Sequence, residues 1–249
     1  MIPPFSFIVA YRYSHDRVIN LRRVLEWMSG FMGVEIIVVE QDKNTKIDQL
    51  TLPGKHIFQK NDGPFIKSLA YNLGFRHSTS NVLVFGDADV IMNPNELISS
   101  LNEISKFEVV NPYKSVVDLE EWESGLGLEQ IFGINRPGRG ETDHQKVPFC
   151  GGITIFRRDA LEKIAGWPEE YVGWGAEDDA QSIKVQRLLS HTQMQHRAYH
   201  LWHHRPQPDM TLYQRNLELL NKFKLIGDGD MVNYLQSTRH KIGQLNRFS

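Results

Sequence analysis

The chain has a single cysteine, Cys150, among 249 residues. An internal disulfide framework is therefore excluded, and the composition fits a reducing compartment. A dominant charge is missing too: 28 Lys and Arg against 30 Asp and Glu leave a formal net charge of -2. That removes the electrostatic footprint of a general nucleic-acid or membrane-surface binder. No apolar run is long enough to span a bilayer, and the Met1-Ile-Pro-Pro start carries no basic segment ahead of an apolar one. Neither a membrane span nor a signal peptide is expected, and the expected location is cytoplasmic. Internal repeats, low-complexity tracts and a clean linker are absent as well, so one domain over 1–249 is the simpler expectation.

What is present is a 41% hydrophobic fraction, enough for a substantial core, arranged as alternating apolar strands and helical periods. Residues 5–10 read as a buried strand, 15–32 as a helix with Val18, Leu21, Leu25 and Met28 on one face, and 34–40 as a β-branched second strand. A short strand at 56–59, a helix at 65–76 and a strand at 82–87 follow. Asn93-Pro94 then opens a helix to about 104 as an N-cap with proline at the first helical position. This order predicts an α/β fold with a mostly parallel central sheet and helices on both faces. Further on, the acidic stretch 116–128 reads as a helix, 132–148 as a long loop, and 153–156 as a strand. Helices are expected at 158–164 and 176–189, a last strand at 198–202, and one or two amphipathic helices from 212.

Three constellations carry chemistry. Val82-Leu83-Val84-Phe85-Gly86-Asp87-Ala88-Asp89 is an apolar run emerging into two carboxylates at the carboxyl edge of a sheet, where open α/β folds bind ligands. Such a pair suits a hard divalent cation holding a diphosphate, although an isolated Asp-x-Asp equally well caps the next turn. The second is Phe149-Cys150-Gly151-Gly152, followed by Gly173-Trp174-Gly175-Ala176-Glu177-Asp178-Asp179. Paired glycines admit a ligand close to the backbone, and Trp174 offers a flat apolar face to a sugar ring. The acids also complement the dipole of a helix start. The third is His200-Leu201-Trp202-His203-His204-Arg205, three imidazoles within five residues at a strand end. Imidazole binds Mn²⁺ as well as softer ions, while any single histidine here is also compatible with plain packing or exposure.

The order and spacing of Asp87-Ala88-Asp89, Gly151-Gly152 and Gly173-Trp174-Gly175-Ala176-Glu177-Asp178-Asp179 resemble metal-dependent GT-A glycosyltransferases, above all the β-1,4-galactosyltransferase family, with bacterial chondroitin-type polymerase domains as relatives. The resemblance runs from Phe5 to about Arg205 and includes a family helix at 65–74. It implies a Rossmann-like GT-A domain with a nucleotide-binding half at 1–110, an acceptor and catalytic half at 111–210, and a helical tail at 211–249. It further implies transfer of galactose or N-acetylgalactosamine type sugars from a UDP-sugar to a glycan hydroxyl, with Mn²⁺ or Mg²⁺ as cofactor. Carried over by position, Asp89, His203 and His200 hold the metal, although the family has methionine where His200 stands. Asp178 is the catalytic base. Glu177, Asp179, Trp174, Gly151, Gly152 and Phe149 contact the sugars, and Ala10, Tyr11, Arg12, Asp87 and Lys67 contact the nucleotide. By residue type alone Arg12 is equally a surface arginine after a strand. Phe149 lacks the hydroxyl of the tyrosine often found at its position, Val172 replaces an aromatic, Ala176 replaces glycine, and 204–212 matches a mobile loop.

Two alternatives stand beside this expectation. A sugar nucleotidyltransferase shares the sheet and the metal but wants a Gly-rich basic loop after the first strand, and Tyr11-Arg12-Tyr13-Ser14-His15 is not one. A non-catalytic sugar-nucleotide or glycan-binding module would have no use for Asp178. Two further features are discounted. Gly227-Asp228-Gly229-Asp230 reads as a turn rather than a calcium loop, and Lys55, Lys60 and Lys67 make no basic stripe.

Overall fold

The computed structural model describes residues 2–47, 52–141, 147–205 and 207–244. Part of the expected loop at 132–148, Pro206 of the expected mobile loop and the last five residues of the tail lie outside the described residues.

The first half follows the apolar pattern. Strands β1 (Phe5–Tyr11), β2 (Glu35–Asp42), β3 (Lys55–Lys60) and β4 (Val82–Asp87) alternate with helices α1 (His15–Ser29) and α2 (Lys67–His77). Ser14 caps α1 by accepting from the Arg17 backbone N–H at 3.3 Å. The helix ends at Ser29, three residues earlier than the apolar spacing predicts, and Gly33 turns the chain with a φ of +76°. Next come β5 (Val90–Met92), α3 (Pro94–Glu103), β6 (Val109–Asn111) and β7 (Ser115–Asp118). Asn93 caps α3 at 2.9 Å with proline at the first helical position, as its sequence predicts.

The expected helix over 116–128 is not formed. Val116 and Val117 are buried β-branched residues and pair as strand β7. The acids that gave the stretch a helical look hold loops instead. Asp118 binds Arg139 at 2.8 Å, and Glu123 accepts from the Glu120 N–H at 2.8 Å while pairing with Arg136. Only a 3₁₀ turn at Glu123–Gly125 and the short helix α4 (Leu128–Phe132) remain helical. The rest is β8 (Ile153–Arg157), α5 (Arg158–Lys163), α6 (Glu177–Leu188), β9 (His191–Gln193), β10 (Arg197–His200), α7 (Met210–Leu225) and α8 (Asp228–Thr238). The Gly227–Asp230 stretch starts α8, with Asp228 and Asp230 in the first turn where carboxylates suit the helix dipole.

The main sheet runs β3-β2-β1-β4-β8-β6-β9, and only β8 is antiparallel to its neighbours. A second sheet, β5-β10-β7, leans on one face. Strand alternation feeds two cores. Phe5, Phe7, Val9 and Tyr11 of β1 meet α1, α3 and the small sheet, while Ile8 and Ala10 meet the α2, α5, α6, α7 and α8 side. In the parallel pairing Ala10 lies beside Asp87, so β1 and β4 end at one edge. In the small sheet His200 pairs with Val90 and with Asp118, which brings the end of β10 to that same edge.

Close packing of α2 on the sheet depends on Gly74, whose missing Cβ would collide with Ile8 Cγ2 and come within 3.3 Å of Val39 Cγ2. Helix propensity alone favours Gly74→Ala by about 1 kcal/mol. Overpacking a filled core costs about 1–3 kcal/mol, so we expect a net loss of stability in urea unfolding. A net gain would show that the helix does not press on β1 as described.

Candidate active site

Asp89 leaves β4 through a turn and is buried, and its backbone carbonyl accepts from Leu201 N–H at 2.7 Å. That bond ties it to the exit of β10. Its carboxylate lies 3.3 Å from His203 Nε2 and 3.8 Å from His200 Nε2, and the three ligand atoms fall within 4.8 Å of one another. Each imidazole is oriented from behind. His200 Nδ1 faces Asp118 Oδ1 at 3.2 Å, and His203 Nδ1 faces the His204 carbonyl at 2.9 Å. An Nδ1–H given to each of these acceptors leaves both Nε2 atoms turned toward Asp89, the arrangement of histidine ligands fixed by an outer carboxylate or carbonyl. One carboxylate and two imidazoles form a donor set that accepts a divalent cation.

Electrostatics agree. Burial works against ionisation of Asp89, but the His203 hydrogen bond and the charges of His200 and Arg17 hold its carboxyl well below the usual range. Arg17 reaches to 4.0 Å of it from the first turn of α1. The bond to Asp89 in turn raises the pKa of His203. A cation entering here competes with protons for the imidazole of His203.

Asp87 serves different neighbours. Its Oδ1 accepts from Tyr71 Oη at 2.8 Å and lies 3.7 Å from Lys67 Nζ. The same ammonium sits 2.8 Å from Asp178 and 3.0 Å from Glu177 at the start of α6. Three carboxylates thus converge on one lysine at the first residue of α2. Burial pushes the Asp178 carboxyl up to about 8; the charges of Glu177 and Asp87 add to this, outweighing the attraction of Lys67. Lys67 keeps its proton among them. Asp179 takes no part in the Lys67 ion pairs; burial raises its pKa and the charge of Lys224 opposes that.

Glycine brings the turn before β8 close to these acids. Gly152 has a φ of +73°, and a Cβ there would collide with Tyr113 Oη. That hydroxyl donates to the Gly151 carbonyl and accepts from Ile153 N–H at 3.0 Å. The Gly152 carbonyl accepts from Asp87 N–H at 2.9 Å, and a Cβ on Gly151 would lie 3.5 Å from Asp178 Oδ2. Phe149 is buried edge-on to His191, its ring centroid 5.3 Å away.

Trp174 is 66% exposed, on a turn where Gly173, Gly175 and Ala176 all have left-handed φ values of +77°, +100° and +75°. Ala176 is a strained choice at a position that favours glycine. Arg12 directs its guanidinium at carbonyls, those of Gln41 at 2.7 Å, Gly63 at 2.7 Å and Asn61 at 3.1 Å. It clamps the end of β2 to the loop beyond β3. Ala10 and Tyr11 are buried in the β1 edge. Tyr71, Tyr113 and Asp118 escaped the sequence reading. Only Tyr71 left a trace there, four residues after Lys67 and so on the same helical face.

The family model described as glycosyl transferase family 2 matches residues 8–165. A model described as the N-terminal domain of galactosyltransferase matches residues 143–204. No curated protein matches the chain. Solved structures with a similar fold include the catalytic domain of Drosophila β1,4-galactosyltransferase 7 in complex with xylobiose, at 16% identity over 90% of this chain and 81% of that one, with a TM-score of 0.59. Glucosyl-3-phosphoglycerate synthase from Mycobacterium tuberculosis, in complex with Mn²⁺, UDP and phosphoglyceric acid, is similar at 14% identity over 91% and 80%, with a TM-score of 0.59. Residues 1–349 of S. aureus TarS are similar at 16% identity over 98% and 74%, with a TM-score of 0.58.

The unfolded chain releases the Asp178 proton near pH ~4, whereas the folded one holds it until about 8. Folding therefore takes up a proton across that window, and stability falls as pH rises through it. The uncharged variant Asp178→Asn should melt at a higher temperature than wild type near neutral pH, by a margin that shrinks as the pH approaches ~4. Differential scanning fluorimetry against pH checks this, and a variant less stable throughout overturns it.

Proposed function

The chain belongs to glycosyl transferase family 2, and from that membership we propose a metal-dependent, inverting hexosyltransferase. It moves a hexose or N-acetylhexosamine of galactose type from a UDP-sugar to a hydroxyl of a glycan acceptor. The observation that carries this reading is the convergence of two groups at one sheet edge. Asp89, His200 and His203 form the cation-accepting cluster. Asp87, two residues before Asp89, is joined through Lys67 to Asp178 and Glu177. The Mn²⁺ and UDP held by the mycobacterial neighbour and the xylobiose held by the Drosophila one support the choice of ligands.

Asp89, His203 and His200 would hold Mn²⁺, or Mg²⁺ in its place. Bound there, the ion neutralises charge that develops on the leaving diphosphate. Asp178 takes the proton of the acceptor hydroxyl as it attacks the anomeric carbon, and one direct displacement inverts that centre. Lys67 orients this carboxylate and balances the charge around it. Glu177 and Asp179 hold sugar hydroxyls, and Gly151 leaves room for the donor ring beside Phe149, while Gly152 turns the backbone there. Asp87 contacts the ribose or supports the metal shell. Ala10, Tyr11 and Arg12 form the nucleotide wall, with Arg12 acting by clamping its loops. Trp174 is the acceptor platform.

The nucleotide half at 1–110, the catalytic half at 111–210 and the helical tail act as one domain in this reading. Cytoplasmic placement rests on the lone cysteine; among the described residues no helix is long and apolar enough to cross a membrane.

Asp178→Asn should lower turnover by ~10²–10⁴-fold while UDP binding persists, and near-wild-type turnover removes the base assignment. Calorimetry of UDP with Mn²⁺ tests the cation cluster. Asp89→Ala and His203→Ala should abolish the metal-dependent part of binding, and Asp118→Asn should weaken metal affinity by about 10–100-fold. Unaltered binding in all three removes the site. Release of free UDP across a panel of UDP-sugars separates a catalyst from a binding module.

A further inference from the structure

Helices α7 and α8 lie outside both matched stretches, 8–165 and 143–204. Yet α7 reaches back to the Trp174 turn. Asn216, fully buried, uses its Nδ2 group on the carbonyls of Val172 at 3.0 Å, Gly175 at 3.1 Å and Trp174 at 3.5 Å. Its Oδ1 accepts from Val172 N–H at 3.4 Å. One turn earlier, the Tyr213 ring lies 5.2 Å from the Trp174 ring at an interplanar angle of 30°. That approach exists because Gly175 has no side chain, since a Cβ there would come within 2.9 Å of the tyrosine ring. On the other side, Gly173 N–H donates to the Phe65 carbonyl at 2.8 Å.

We infer that α7 builds the back wall of the acceptor subsite: Tyr213 and Asn216 are positioning residues that hold Trp174 with one indole face backed and the other presented to a pyranose. The inference rests on the assignment of Trp174 as the acceptor platform.

A tryptophan exposed to this degree on a turn of three left-handed residues would sample many orientations if nothing held it. Asn216 fixes the backbone of the turn from Val172 to Gly175. Tyr213 then lies against one side of the indole, tilted by 30°, which leaves the opposite apolar face for a ligand. The chemistry favoured by a single flat face is a pyranoside with equatorial hydroxyls, whose axial C–H bonds line up on one side of the ring. An indole already fixed in its bound orientation loses less freedom when the sugar arrives, so the gain appears as acceptor affinity rather than as donor affinity. The residues that tune the acceptor are therefore partly outside the stretch that marks the family.

Saturation-transfer NMR with xylobiose and with cellobiose, in the presence of diamagnetic Mg²⁺ and UDP, tests this on the whole chain. Wild type should show enhancements concentrated on the C–H protons of one ring face, and Trp174→Ala should abolish them. Tyr213→Ala should raise the disaccharide Kd by about twofold to tenfold, as expected for loss of one stacked ring, and Tyr213→Phe should restore it. Asn216→Ala should act in the same direction. The UDP signals should stay constant in every variant, which a general loss of structure would not allow. Wild-type affinity in Tyr213→Ala beside a null Trp174→Ala overturns the role of α7 while leaving the platform intact. No enhancement in wild type, or an unaffected Trp174→Ala, removes the platform itself. UDP signals that fall in parallel with the sugar signals overturn the specific role and leave a structural one.

Discussion

One ammonium group among three carboxylates holds the candidate site of this molecule together. Lys67 opens α2, Asp87 closes β4, and Glu177 and Asp178 open α6, so three elements far apart in sequence meet at a single charge. Buried carboxylates of like sign repel and resist desolvation, and removing the lysine would leave all three uncompensated. Burial, helped by the charges of Glu177 and Asp87, still outweighs its attraction, which is why Asp178 retains a proton so far above an ordinary carboxyl. A surplus of negative charge at the mouth of a sheet is a poor arrangement for stability and a good one for accepting a proton and a cation.

The small sheet has a related purpose. Strand β10 stands between β5, which follows the Asp-x-Asp turn, and β7, which ends on Asp118. Its exit therefore passes between the carboxylate that the histidines face and the carboxylate that orients one of them. Asp118 is itself anchored by Arg139 at 2.8 Å and Arg205 at 3.0 Å. The histidines are thereby held by backbone pairing and charged contacts rather than by rotamer preference alone.

Much of this was legible in the chain. Strands of six or more residues with continuous apolar runs, such as 5–11 and 82–87, announced themselves, as did the Asn93-Pro94 cap, the Asp-x-Asp edge and the histidine run. Strands β6, β7 and β9 are only three or four residues long, too short for periodicity to register, and the acids around 118–123 imitated a helix while serving loop ion pairs. The roles of Arg12, Lys67 and Asn216 were hidden for a different reason. Each is decided by groups between 20 and 111 positions away, and nothing local distinguishes a lysine on a solvated face from one enclosed by acids. Residue type showed that charges were present, whereas only the fold showed which ones they meet.

The Tyr113 hydroxyl fills the space that a side chain on Gly152 would need, while bridging the Gly151 carbonyl and the Ile153 amide. Phenol and hydrogen at these two positions interlock like tenon and mortise. Any lineage that enlarges residue 152 must first shorten residue 113, and doing so strands two main-chain groups in a dry interior. Neither position is therefore free to drift alone, and the turn before β8 changes only by paired replacement.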